Sequence, residues 1–233
     1  MTIVINPKYS SLRPFIEKIP NKFDTDGEMV YEARNQLKKF SANEYEVIVK
    51  RYKKPHYINR IAYTFLRPSK AKRAYEYALK LLELSVNTSA PVAYIEQKSC
   101  GLLNYGYFIS IYEKDFSDIR DLMTGKLNDD VLLQQLSTYI AYFHNKGVLH
   151  LDMSPGNILY KKIESNYQFT LIDINRMQFM PTISKIRRFK SFKRLSENKA
   201  VLTSIAKAYA TAAQLDEYES VEKINHYCTE FWN

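Results

Sequence analysis

The chain has 233 residues, 45% of them hydrophobic and 14% aromatic, which excludes a disordered polymer and suffices for one large core or two small lobes. Its 34 basic and 25 acidic residues give a formal charge of +9. That excess favours a polyanionic partner: a phosphate-bearing substrate, an anionic membrane or a nucleic acid.

The first residues, MTIVINPKYSSLRP, lack a basic segment followed by a long apolar one, so no signal peptide is expected. EMVYE (28–32), QLKKF (36–40) and YEVIVKRY (45–52) read as short strands, and their brief connections predict an antiparallel meander. SKAKRAYEYALKLLEL (69–84) repeats Ala71, Ala74, Tyr75, Ala78 and Leu82 at helical spacing, with Ser69 placed to cap it. Two apolar strands are expected near 92–97 and 105–112. From Asp115 onward helices dominate. LNDDVLLQQLSTYIAYFHNKG (127–147) is the clearest, with Asn128 as its expected cap and Gly147 as its stop. VLHLDMSPGNILY (148–160) follows. YQFTLID (167–173) reads as a buried strand ending in a carboxylate, and helices are expected over 197–213 and 216–230. No stretch approaches the roughly 18 uncharged apolar residues of a membrane span. Cys100 and Cys228 have no metal-like spacing and suit a reducing compartment.

A β-rich first part, a connector and a helical second part form the layout of a protein kinase. The expectation is an α+β, protein-kinase-like two-lobe fold. Residues 1–112 would form a small β-rich N-lobe with one helix that binds nucleotide. Residues 113–233 would form a reduced helical C-lobe for catalysis and acceptor binding.

Phosphoryl transfer needs positioned metal ions, a group that orients the attacking hydroxyl, and a cation on the nucleotide phosphates. His150, Asp152 and Asn157 have the H-x-D-x-x-x-x-N spacing of a kinase catalytic loop. On that reading Asp152 orients the acceptor hydroxyl. Asn157 and Asp173 hold Mg2+, Lys50 contacts the phosphates of ATP, and Glu76 pairs with Lys50. Taken singly, each is ordinary: Asp and Asn populate surface turns, and a strand lysine is usually solvated. Their order along the chain carries the reading.

VLHLDMSPGNILY followed by LIDINRM resembles the lipopolysaccharide core-sugar (Kdo/heptose) kinase family, within the protein-kinase-like superfamily. VIVKRYKKP and RAYEYALKLLEL are similar to that family's lysine strand and glutamate helix, and the likeness spans about residues 26–215. The resemblance implies transfer from ATP, with Mg2+, to a sugar hydroxyl of a lipopolysaccharide core or similar glycolipid. With no signal peptide or membrane span expected, the enzyme should be cytoplasmic, and an acceptor of this type would have it visit the inner face of the cytoplasmic membrane.

Several departures from protein kinases point to a small or glycolipid acceptor. Leu151 stands where an arginine would clamp a phosphorylated activation loop, and Ser154 where a lysine is usual. The metal motif reads Asp173–Ile174–Asn175, no Ala-Pro-Glu segment follows, and only 60 residues remain after Asp173. A glycine-rich phosphate loop is missing, so Ala33, Arg34 and Asn35 would occupy its place, with Arg34 supplying charge. The connector would hold adenine through backbone groups near Glu113 and Asp115. SKIRRFKSFKR (184–194) interleaves six basic residues with Phe189 and Phe192 and reads first as a contact for anionic lipid. A nucleic-acid partner is not expected, because no recognised binding motif accompanies it. Three rivals stay open: a Rio-like atypical protein serine kinase, an aminoglycoside-type small-molecule kinase, and a kinase-like binding module without activity.

Overall fold

The computed structural model describes residues 1–33 and 35–232. The chain divides into two compact units, Met1–Glu83 with Ser89–Lys114, and Leu84–Thr88 with Asp115–Asn233. The expected boundary after Tyr112 lies two residues short of Lys114. The second unit also takes the short segment Leu84–Thr88, which no periodicity marks.

In the first unit, β1 (Thr2–Ile5) leads through a 3-10 turn to α1 (Arg13–Lys22). Strands β2 (Glu28–Glu32), β3 (Gln36–Ala42) and β4 (Tyr45–Tyr52) form the expected meander. Then come α2 (Tyr57–Ile61), continued by a π-helical turn at Ala62–Leu66, and α3 (Lys70–Glu83), β5 (Pro91–Ser99) and β6 (Leu102–Ile111). All six strands join one antiparallel sheet in the order β1-β5-β6-β4-β3-β2.

Strand periodicity sorts β4 between the two faces. Val47 and Val49 pack with Leu12, Ile16, Ile19 and Phe23 of the α1 layer. Tyr52 packs on the opposite face with Ala71, Ala74 and Tyr75 of α3 and with Tyr94 of β5. Lys50, two residues from Tyr52, therefore belongs to the α3 face. Ser69 caps α3 as expected, its hydroxyl accepting from the Lys72 N–H at 3.1 Å.

The expectation of a single helix here is corrected. α1 escapes a periodicity reading because Pro14 and Pro20 lie within it. α2 is five residues long, too short for a repeat to show.

The second unit holds β7 (Ser117–Asp118), α4 (Arg120–Thr124), α5 (Asp130–Asn145), β8 (Val148–His150), β9 (Ile158–Ile163), β10 (Asn166–Leu171) and β11 (Met177–Phe179). α6 (Lys185–Ser191), α7 (Lys199–Ala213) and α8 (Glu217–Trp232) complete it. Strands β10-β9-β7 form one small sheet and β11-β8 another, while α5 packs on α7 and α7 on α8.

The cap of α5 is Asp129 instead of Asn128: its carboxylate accepts from the Leu132 N–H at 2.8 Å. The shift follows from charge, because a carboxylate at a helix start also meets the positive end of the dipole. Gly147 ends the turn after α5 with φ +75°, and a Cβ there would lie 1.9 Å from the Met180 carbonyl oxygen. No side chain fits at that position. Phe189 and Phe192, which the sequence leaves open between a lipid contact and the core, are core residues at 1% and 0% exposure. Phe192 packs against His144 and Tyr209, and His144 in turn against Phe143.

His144 is a titratable group at the centre of this core. Its Nδ1 shares a 2.8 Å hydrogen bond with the Tyr209 hydroxyl. Burial, reinforced by the Arg188 guanidinium, pushes the imidazole from its ordinary 6.5 down to about 3. The unfolded chain therefore takes up a proton that the folded chain refuses. The stability is fully present above pH 6.5 and is lost as pH falls toward 3. The expected slope from this residue is at most about 1.4 kcal/mol per pH unit within that window. Urea unfolding at stepped pH should show a shallower loss in His144→Gln than in the wild type. Parallel curves would remove His144 from the acid response.

Candidate active site

The second unit gathers the opening motif into one hydrogen-bonded loop. β8 delivers His150, which is fully buried, and Met177 of β11 pairs opposite it. His150 Nδ1 accepts from the Asp152 backbone N–H at 3.1 Å, and Nε2 lies 3.1 Å from the Ile172 carbonyl oxygen. A ring nitrogen that accepts carries no proton, so the proton sits on Nε2 and is donated to Ile172. Burial holds the imidazole below its ordinary pKa, although the Ile172 carbonyl, Asp173 and Asp152 all pull the other way. His150 is thus a neutral clamp between the loop and the segment leading to Asp173.

The loop closes on itself. The Asp152 carbonyl accepts from the Ser154 N–H at 2.9 Å and from the Asn157 side-chain amide at 2.8 Å. The Asn157 carbonyl in turn accepts from the Ile172 N–H at 2.9 Å. One backbone bond therefore brings Asn157 within a residue of Asp173.

Asp173 does not end β10, which stops at Leu171. It occupies a left-handed position, φ +51° and ψ +46°, that opens a 3-10 turn at Ile174–Arg176. Aspartate tolerates this region better than most residues. The side-chain amide of Asn175, itself buried, donates to the Asp173 carboxylate. Asn157 offers an amide oxygen and Asp173 a carboxylate, the hard oxygen donors that Mg2+ takes. Among the described residues, no group of three or more His, Cys, Asp or Glu side chains forms a metal site. Two protein ligands suffice for magnesium, which usually fills its shell with waters and substrate phosphates.

Asp152 is gripped by two arginines. Arg176, in the turn after Asp173, lies 3.4 Å from one carboxylate oxygen, and Arg194 pairs with the other. Both guanidiniums are partly exposed, so the pairs add little to stability. Their effect is to fix the carboxylate and surround it with positive charge. Sequence reasoning missed all three helpers. Asn175 and Arg176 carried a local signal, standing two and three residues after Asp173. Arg194 carried none, 42 residues from Asp152 and hidden in a basic run.

The rest of that run is also engaged. Lys185 pairs with Glu219 at 2.9 Å, Arg188 donates to Asn145 at 2.8 Å, and Lys190 sits over the Tyr227 ring. With both phenylalanines buried, Ile186 is the large apolar side chain of 184–194 that stays exposed.

In the first unit, Lys50 is buried and stands opposite Phe108 of β6, which is itself opposite Tyr94 of β5. Its ammonium lies 5.4 Å from the Tyr52 ring centre. Glu76 is half exposed on α3, 3.8 Å from Lys72 on the same helix. It is near enough to Tyr94 to help burial and Glu96 raise that phenol. Glu83 pairs with Lys80 at 3.2 Å at the helix end. Asn35 accepts from the Lys53 N–H at 3.3 Å. Arg34, the charged candidate for the phosphate loop, lies outside the described residues. Burial raises the Glu113 carboxyl despite a hydrogen bond with Ser89. Asp115, the first residue of the second unit's long segment, pairs with Lys161 at 3.4 Å.

A sheet that turns a buried lysine toward a helix, and a unit that ties an H-x-D-x-x-x-x-N loop to an Asp turn, together define a protein-kinase-like fold. Over its whole length the chain matches a solved structure described as WaaP in complex with acyl carrier protein. The TM-score is 0.66 at 14% identity, and the match also covers the whole of that chain. The model of the Lipopolysaccharide kinase (Kdo/WaaP) family matches residues 25–217, so the chain belongs to that family. A Caenorhabditis elegans protein provisionally named ribosomal protein S6 kinase alpha-2 is 28% identical over 102 residues, 44% of this chain. The match spans 13% of that relative's length.

The clamp has a measurable weight. His150→Phe would leave the Asp152 N–H and the Ile172 carbonyl without their partner. At about 1–3 kcal/mol for each unsatisfied buried group, the variant should lose about 2–6 kcal/mol. Urea unfolding measures this. A loss below about 0.5 kcal/mol, the range of an ordinary surface substitution, would show that the imidazole bridges nothing of consequence.

Proposed function

We propose that this chain is an ATP- and Mg2+-dependent kinase that phosphorylates a hydroxyl of a lipopolysaccharide core sugar or a similar glycolipid. The observation that carries the reading is the hydrogen-bonded unit of His150, Asp152 and Asn157, tied through Ile172 to the residue before Asp173, in a member of this family. When bound, magnesium–ATP supplies the transferable phosphoryl group and neutralises the charge on the phosphates.

The chain's own residues do the positioning. Asp152 accepts a hydrogen bond from the acceptor hydroxyl and aims its oxygen. Asn157 and Asp173 are the metal ligands, and Asn175 keeps the Asp173 carboxylate oriented. Lys50 meets the phosphates and Glu76 steadies it. Arg34 and Asn35 cover the phosphates where glycines are absent, and backbone groups near Glu113 and Asp115 take the adenine. His150 touches no reactant; it is a positioning residue. Arg176 and Arg194, beside Asp152, suit an acceptor that carries negative charge near its hydroxyl, such as a sugar-acid carboxylate or a phosphorylated sugar.

Among the described residues, no helix is long and apolar enough to cross a membrane. We place the protein in the cytoplasm with peripheral access to the inner membrane face. The complex of a fold neighbour with acyl carrier protein adds a protein to the partners worth testing.

The test is phosphate transfer from ATP to Kdo-lipid A, heptosylated acceptors, aminoglycosides and generic protein substrates. Transfer to a core sugar is expected. Asp152→Ala should lower turnover by about 10²–10⁴ while magnesium–nucleotide affinity stays the same. Asp173→Asn should instead weaken that affinity. Transfer only to protein or aminoglycoside, or more than a tenth of wild-type turnover in Asp152→Ala, would reject the assignment.

A further inference from the structure

The segment between β4 and α3 is built inside out. Its polar side chains point into the first unit. Arg60 donates to the carbonyls of Leu103 at 2.8 Å and Ser99 at 3.1 Å. The Thr64 hydroxyl accepts from the Leu103 N–H at 3.0 Å and donates to the Arg60 carbonyl at 2.7 Å. These bonds pin α2 and its π-helical turn to the end of β6.

The large apolar side chains point out. Ile58 is 81% exposed, Phe65 72%, Leu66 83% and Tyr57 66%. Four such residues stand within ten, apolar side chains that a surface helix ordinarily turns toward its core.

The sequence around it is basic. Nine Lys or Arg residues and no Asp or Glu stand between Glu46 and Glu76. Beside α2 lies a cavity of about 190 Å³ whose lining includes Lys53, Lys54, His56, Ser69 and Lys70. It offers cations and a hydroxyl to one phosphate.

We propose that Tyr57–Leu66 is an interfacial anchor that inserts Ile58, Phe65 and Leu66 into an anionic bilayer while the cavity beside it takes a lipid phosphate headgroup. Charge complementarity selects the occupant, and the form of the apolar surface separates a bilayer from a protein. Its side chains protrude, whereas a partner helix needs a groove to enter. Fluid acyl chains close around protruding residues, and a basic rim holds such a helix at the headgroup level. The proposal relocates membrane contact from 184–194, where the phenylalanines are buried, to a face where apolar and basic residues coincide. It rests on the proposed function only for its purpose, the access of a soluble kinase to a membrane-anchored acceptor.

The experiment is sedimentation of the full chain with phosphatidylcholine vesicles, with and without one-third phosphatidylglycerol. Wild type should bind the anionic vesicles at least about tenfold better than the neutral ones, and high salt should weaken that binding. The combined variant Ile58→Ser, Phe65→Ser, Leu66→Ser alters only exposed side chains and should bind at least about tenfold less. As a second readout, Phe65→Trp in a Trp232→Phe background should show blue-shifted emission on vesicles and quenching by brominated acyl chains.

Equal binding by the combined variant, indifference to headgroup charge, or an unshifted emission would overturn the proposal. So would capture of acyl carrier protein through this face without vesicle binding, which would assign the surface to a protein. Transfer to a deacylated, water-soluble acceptor should be unchanged in the combined variant. If wild type transfers phosphate to no acceptor yet binds anionic vesicles through these residues, the proposed function fails and the anchor stands.

Discussion

A single buried imidazole holds the second unit's candidate chemistry together. Three separate pieces of chain must meet for Asp152, Asn157 and Asp173 to act as one group: β8, the loop after it, and the segment following β10. His150 joins them because its two ring nitrogens have opposite characters. One accepts the Asp152 N–H and the other donates to the Ile172 carbonyl. Only the neutral ring can do both. Protonation would turn Nδ1 into a donor facing another donor. The low-dielectric surroundings that keep the ring neutral are therefore part of the same device, and they win although two carboxylates stand nearby.

Around this clamp, charge is handled by position. Asp152 receives a guanidinium on each oxygen, from Arg176 and Arg194. Its carboxylate is fixed before any acceptor arrives, so less entropy is lost on binding. In the first unit, the two-residue period of β4 sends valines to one face and Lys50 to the other, where α3 packs. The same alternation that builds the core thus selects the face on which the lysine can serve.

Much of this was legible in the sequence because it rests on local rules. β4 carries a clean alternation and was readable to the residue, as was the Ser69 cap of α3. The H-x-D-x-x-x-x-N loop was legible because its spacing is set by hydrogen bonds between near neighbours, such as Asn157 to Asp152. What escaped depends on contacts at long separation or on broken periodicity. β1 has four residues and gains its identity only by pairing with β5. α1 contains two prolines. The pairing of Arg194 with Asp152 is written in tertiary structure alone, and the basic run around it suggested a lipid contact instead. Phe189 and Phe192 stayed ambiguous for a related reason: aromatic residues interleaved with charges look amphipathic until the core behind them is known. The inverted segment at 57–66 escaped because its apolar residues, read without burial, resemble a short piece of core.

The most direct test of this picture is the protonation state of His150, read from the ring-nitrogen chemical shifts of the 15N-histidine-labelled protein. A neutral ring protonated on Nε2, which does not titrate across the neutral pH range, is the expected result. An imidazolium at neutral pH, or a ring protonated on Nδ1, would contradict the bridge to Asp152 and with it the geometry assigned to the site.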